Sequence, residues 1–225
     1  MKKIGIIGAM QIEIDLLLDK MEVVDELMYA GFPFYVGTLY GKEIVLTRCG
    51  VGKVNSASCT QILIDKFNVE YIINTGIAGS LKDNIGICDV VLSSDVTHHD
   101  VRKDQMRNLF PFQETFIASE ELIKLAVKAC ASKDINCHIG RIISGECFVE
   151  NHELRSSLIK NYSPACVEME SSSIGHVAFI NNIPFLIIRS ISDNADEEAI
   201  NTYSNFEKIA GEQSASIVSE IVRSI

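Results

Sequence analysis

The sequence has no apolar run long enough to cross a membrane. Its longest apolar stretches, such as residues 183–188 and 71–73, fall far short of the roughly 20 residues a spanning helix needs. No secretory leader is expected, since Met1-Lys2-Lys3 passes straight into Ile4-Gly5-Ile6-Ile7, which reads as a first core strand. Its seven cysteines, at positions 49, 59, 88, 130, 137, 147 and 166, include no C-x-x-C pair. That spacing argues against a zinc or redox site and leaves reduced, mostly buried thiols in a cytoplasmic protein as the expectation. Basic residues are sparse, 20 against 30 acidic for a formal charge of -10, and none of their clusters is denser than Arg102-Lys103. Neither nucleic acid nor membrane is expected as a partner. No repeat, linker or low-complexity tract divides the chain, so residues 1–225 are expected to form one domain around a core for which 47% hydrophobic content is ample.

What the sequence does have is alternation. Short β-branched runs at residues 4–7, 44–47, 71–75, 90–93, 139–144 and 185–190 read as strands. Several are apolar on both faces, as strands covered by helices on each side should be. Helical patterns fall at residues 54–67, 120–132, 171–181 and 205–225. In the last, Phe206, Ile209, Ala210, Ile217, Val218, Ile221, Val222 and Ile225 recur at three- and four-residue spacings, and Ser204-Asn205-Phe206-Glu207 predicts a capping box at its start. The expected fold is α/β, a single three-layer α/β/α domain with a central mixed or largely parallel sheet. Residues 98–115 mix charge, Phe and Pro without a period and are predicted to be a long excursion or flap. In such a domain ligands gather beyond the carboxyl ends of strands, which directs attention to residues 8–13, 74–80, 144–149 and 190–196.

Each motif there has a plainer alternative. Gly5-Ile6-Ile7-Gly8-Ala9-Met10 lacks the G-x-G-x-x-G spacing, so a dinucleotide cofactor is not expected. Glu13 alone reads as a solvated carboxylate near a helix start. Val167-Glu168-Met169-Glu170 is either a charged edge strand or a pair of carboxylates aimed into a site. Asp193 follows an apolar strand, where a turn or cap role is as natural as chemistry. His98-His99-Asp100 could suggest metal, but adjacent residues on an extended chain point opposite ways and no further ligand cluster accompanies them, so no metal is expected.

Taken together, these segments resemble the methylthioadenosine/S-adenosylhomocysteine nucleosidases of the purine nucleoside phosphorylase superfamily over essentially the whole chain. The matching stretches are Ile4 to Met10 with Glu13, Cys49-Gly50-Val51-Gly52-Lys53-Val54, Ile73-Asn74-Thr75-Gly76, Ser144-Gly145-Glu146-Cys147-Phe148-Val149, Val167-Glu168-Met169-Glu170 and Arg189-Ser190-Ile191-Ser192-Asp193. The resemblance implies a nucleoside phosphorylase-like fold, a homodimer, and hydrolysis of the N-glycosidic bond of an adenine nucleoside by water, without a cofactor. It implies Asp193 as the acid that lets adenine leave neutral and Glu13 as the base that takes a proton from the attacking water. Glu170 and Met169 would hold the ribose, Phe148 would stack on the purine, and the Val149 backbone would read its edge. Met10, Val51, Met169 and Tyr203 would line an apolar pocket for the sugar substituent. Ile77, Ala78, Gly79, Glu168, Arg189 and Ser192 complete the expected binding residues.

Two departures stand out. Relatives usually carry Ser after Asn-Thr-Gly, close to the acid, where this chain has Ile77, and residues 101–112 lack the family's usual text. Two rival readings remain. A phosphorylase on the same scaffold would need cations and free amides around the nucleophile; Met10, Gln11 and Ile12 offer no cation and residues 76–80 none either, while Arg48 keeps that alternative alive. A nucleoside-binding protein without activity would have no need of both Glu13 and Asp193.

Overall fold

The computed structural model describes residues 2–225. In chain order the elements are β1 (Ile4–Gly8), a 3-10 turn (Gln11–Glu13), α1 (Asp15–Lys20), β2 (Glu22–Tyr29), β3 (Phe32–Leu39), β4 (Lys42–Arg48), α2 (Lys53–Phe67), β5 (Tyr71–Ser80) and β6 (Val90–His98). They continue with α3 (Lys103–Asn108), β7 (Thr115–Ile117), α4 (Glu120–Ser132), β8 (Cys137–Ser144), α5 (His152–Tyr162), β9 (Cys166–Glu168), α6 (Ser171–Ile180), β10 (Phe185–Asp193) and α7 (Ala199–Ser224).

The strands β1, β5 and β10 are buried at every position, which is why their sequences carry apolar residues on both faces. They sit in a ten-stranded mixed sheet of order β10-β6-β8-β9-β5-β1-β4-β3-β2, with β7 beside β6. Because β10 also pairs with β5, the run β5, β10, β6, β8 and β9 closes on itself. Helices α2 and α6 pack on each other, while α7 lies along β10 and β5 and packs against α1 and α4. The three-layer mixed α/β/α reading thus holds, and the closure brings the ends of β5, β9 and β10 to one place.

Several expectations need correction. The last helix begins at Ala199, so Ser204 is one turn inside it and bonds back to the Ile200 carbonyl at 2.9 Å instead of capping. Ile209 points outward at 54% exposure, while the rest of the apolar stripe from Ala210 to Val222 is buried. Residues 76–80 are not a loop but the second half of β5, and Asp193 closes β10 as its last residue. The Val167-Glu168 segment is no edge strand, since β9 lies between β8 and β5. Residues 98–115 contain the short helix α3 between β6 and β7. The β2–β3 hairpin and α5 are elements that the periodicity did not reveal.

Candidate active site

The site is built where two glycines on β5 let charged groups touch the strand. A Cβ on Gly76 would lie 2.1 Å from Arg189 Nη1 and 2.6 Å from Glu13 Oε1, and one on Gly79 would lie 2.7 Å from Asp193 Oδ1. Only glycine permits those approaches.

Glu13 comes from the turn after β1 and is 1% exposed. Its Oε2 accepts the backbone amides of Ala9 at 2.6 Å and Met10 at 2.9 Å, and its Oε1 accepts that of Ile77 at 3.1 Å. Those amides beyond the first strand are where a dinucleotide fold would hold a phosphate; here the chain's own carboxylate occupies them. Burial pushes the Glu13 carboxyl above the ordinary range, against the pull of Arg189 and the three amides.

Arg189, in the middle of β10, is the hub. It is 1% exposed and donates to Asn74 Oδ1 at 2.8 Å, to the Ser171 hydroxyl and to the Ile77 carbonyl. Its Nη2 pairs with Glu168 and lies 3.4 Å from Glu170, and its Nη1 is 3.8 Å from Glu13. Burial alone would lower its pKa, but Glu168, Glu170 and Glu13 outweigh that and hold it protonated. Glu168 is saturated: besides Arg189 it accepts the Ser144 hydroxyl and the amides of Glu170 and Ser171, each at 2.9 Å. Glu170 accepts the Gly52 amide at 2.8 Å. Burial, followed by the neighbouring Glu168 charge, pushes the Glu170 carboxyl up to about 8.

Asp193 is 2% exposed and accepts the Ala195 amide and the Ser192 hydroxyl, both at 2.8 Å. Burial raises its pKa, and those two bonds only partly offset it. The backbone stations of the two carboxyls on β5, Ile77 for Glu13 and Gly79 for Asp193, are two residues apart, roughly 6–7 Å along a strand.

One cavity of about 460 Å³ joins these groups, and every catalytic and binding residue expected from the resemblance lines it. The acids Glu13, Glu168, Glu170 and Asp193 stand there with Arg189 and Ser192, as do the apolar Met10, Val51, Ile77, Ala78, Val149 and Met169 together with Gly79. Phe148 and Tyr203 face each other edge to face with ring centroids 5.9 Å apart, and the Tyr203 hydroxyl contacts Met10 Sδ at 3.3 Å. Lining residues not foreseen include Ala9, Glu150 and Ile200. Ala9 stood inside the quoted Gly8-Ala9-Met10 stretch, and Ile200 was hidden by starting the last helix too late. Arg48 is exposed and does not line the cavity. The His98-His99-Asp100 segment serves packing elsewhere, with His98 bonded to the Ser172 hydroxyl at 2.8 Å and Asp100 paired with Lys53.

Residues 3–223 match the family model described as the phosphorylase superfamily. The chain is 36% identical to a 5'-methylthioadenosine/S-adenosylhomocysteine nucleosidase of Staphylococcus haemolyticus, over 98% of this chain and 99% of the relative. Among solved structures it is similar to the same nucleosidase from Neisseria meningitidis in complex with methylthio-immucillin-A, at 36% identity, TM-score 0.95 and full coverage of both chains. It is also similar to futalosine hydrolase of Helicobacter pylori, at 32% identity and TM-score 0.93, covering 100% of this chain and 98% of that one.

Proposed function

The chain belongs to the phosphorylase superfamily and, within it, to the 5'-methylthioadenosine/S-adenosylhomocysteine nucleosidases, and from that premise we propose that it hydrolyses the N-glycosidic bond of a thio-substituted adenine nucleoside to adenine and the free sugar. The observation that carries this reading is the charge inventory of the cavity. Three buried carboxyls with raised pKa values, Glu13, Asp193 and Glu170, share it with Glu168 and the exposed Glu150, and Arg189 is the single cation in its lining.

Adenine departs poorly as an anion, so a protonated carboxyl at N7 lets it leave neutral. Asp193, kept protonated more readily by its burial, takes that role. Bond breaking leaves an oxocarbenium-like sugar, which surrounding carboxylates stabilise. Glu13, held by three amides beside Arg189, is the base toward the attacking water, and the rise that burial gives its pKa makes its carboxylate a stronger one. Glu170 and Met169 hold the ribose, Phe148 and Val149 hold the base, and Met10, Val51 and Tyr203 meet the substituent. Residues 1–225 act as one catalytic unit.

A phosphorylase would have to seat phosphate beside Glu13, Glu168 and Glu170 with only Arg189 to attract it, and the contacts of Arg189 with those carboxylates already commit it. Water is the nucleophile this site favours. Incubation with methylthioadenosine, with and without phosphate, and identification of the sugar product tests the reading: free sugar at a phosphate-independent rate supports it, and sugar phosphate as the main product rejects it. The reading extends to a cytoplasmic location and to a homodimer; the homodimer is supported by the exposed apolar side chains of Leu109, Phe110 and Phe112 and checked by size-exclusion chromatography with light scattering.

A further inference from the structure

Asp193 is held by two donors of different kinds. Oδ1 accepts from the Ala195 backbone, which can only donate, whereas Oδ2 accepts from the Ser192 hydroxyl, which can either donate or accept. A second acceptor, the Ala78 carbonyl oxygen, lies 3.4 Å from the same hydroxyl oxygen. Consecutive strand residues normally point to opposite faces, which would part the side chains of Ser192 and Asp193. The register between β10 and β5 shifts between Ile191 and Asp193, so Ser192 is the extra residue of a bulge. A bulge re-aims a side chain, and here it turns the hydroxyl onto its neighbour's carboxyl. Among the described residues no side chain besides Ser192 donates to Asp193.

We propose that Ser192 is the positioning residue of the acid, a reversible hydroxyl that donates to Oδ2 while Asp193 is ionised and to the Ala78 carbonyl while Oδ2 carries the proton. The inference rests on Asp193 being the acid. In the step itself the Oδ2–H bond breaks and the N7–H bond forms. The electron pair of the glycosidic bond leaves with adenine, and the Ser192 hydroxyl turns from the Ala78 carbonyl back to the new carboxylate. Both protonation states of a buried carboxyl are thereby hydrogen-bonded, and the fixed donor at Oδ1 directs the proton to Oδ2.

The test is the pH profile of kcat on methylthioadenosine for the parent, Ser192→Ala, Ser192→Thr and Asp193→Asn, with melting temperatures measured alongside. Ser192→Ala is expected to lower kcat tenfold or more with little change in KM, as loss of a hydrogen bond to a charged group allows. Its alkaline limb should move to higher pH, because ionised Asp193 has lost a donor. Ser192→Thr, which keeps the hydroxyl, should recover most of the kcat and return the limb. If Ser192→Ala does not fold, Ser192→Cys fills a similar volume with a weak donor and carries the same expectation. A parental kcat, or a lowered kcat with an unmoved alkaline limb, overturns the assignment. Asp193→Asn separates the two layers: near-parental turnover there sinks the acid role and this inference with it, whereas slow turnover there with an unshifted Ser192→Ala profile sinks this inference alone.

Discussion

Glu170→Gln removes one of three carboxylates crowded around a single guanidinium, and its main effect on stability should depend on pH. In the parent, Glu170 is 4% exposed, with the Gly52 amide on one oxygen and Arg189 at 3.4 Å from the other. Burial and the Glu168 charge raise its pKa from 4.5 to about 8. The folded protein therefore holds this proton more tightly than the unfolded chain. The stability it contributes is fully present below about pH 4.5 and is lost as pH rises through about 8. A shift of that size sets a ceiling of about 5 kcal/mol. Glu170 is one of several carboxyls crowded on the same guanidinium, so about half of the ceiling, roughly 2–3 kcal/mol, is the share expected for it alone.

Gln has nearly the same shape, can still accept the Gly52 amide and cannot ionise. Urea unfolding of parent and variant at pH 5, 7 and 9, at one fixed protein concentration, measures the difference. The parent should lose roughly 2–3 kcal/mol more than the variant between pH 5 and 9. Parallel stability curves would refute the reasoning, because they would mean that Glu170 binds no extra proton in the folded state.

Ile77→Ser should leave the fold intact and change the kinetics on adenine nucleosides, since the side chain lines the cavity; unchanged kinetics on several nucleosides would place it outside the working site. Gly79→Ala should cut kcat tenfold to a hundredfold at nearly unchanged KM, because the new Cβ would stand 2.7 Å from Asp193 Oδ1 and turn the carboxyl; full activity would show that this oxygen is free to move. Asp193→Asn and Glu13→Gln should each lower turnover of methylthioadenosine by about a hundredfold or more. On a nitrophenyl riboside, whose leaving group needs no proton, Asp193→Asn should be far less harmful and Glu13→Gln still harmful; equal loss on both substrates would remove the acid role.

The layered fold was legible because β1, β5 and β10 are buried on both faces and carry continuous apolar runs. Their ends were harder to read. Gly76 looks like punctuation in a linear sequence, but the strand continues through it, and the glycine is there because Arg189 and Glu13 pack on its Cα. The β2–β3 hairpin escaped notice because Ala30-Gly31 makes its turn with both residues at positive φ, and Ala is an unusual residue for that geometry. Helix α5 buries only Leu158, so its apolar period is faint, although the Asn151 cap accepting from Leu154 at 2.8 Å was a readable start. Local cap chemistry misled at Ser204, where the helix continues toward Ala199 and the hydroxyl folds back on its own turn. The residues that line the cavity were named through the resemblance, segment by segment. The role of Arg189 was not legible, since only the closed pairing of β5, β9 and β10 places Glu13, Glu168 and Glu170 around one cation.

That arrangement links the stability of the protein to its chemistry. Three buried carboxyls against one guanidinium leave excess negative charge at the cavity floor once all of them ionise, and desolvation opposes that excess, which is why Glu170 holds its proton up to about pH 8. A neutral nucleoside relieves none of it. The sugar acquires positive charge only as the glycosidic bond breaks, so attraction to the floor grows along the reaction coordinate, and that growth is what lowers a barrier. The same excess repels phosphate, which separates hydrolysis from phosphorolysis without any dedicated blocking residue. Neutralising Glu170 should therefore stabilise the folded chain at alkaline pH while slowing catalysis. A Glu170 variant that gains stability and keeps full activity would break the link.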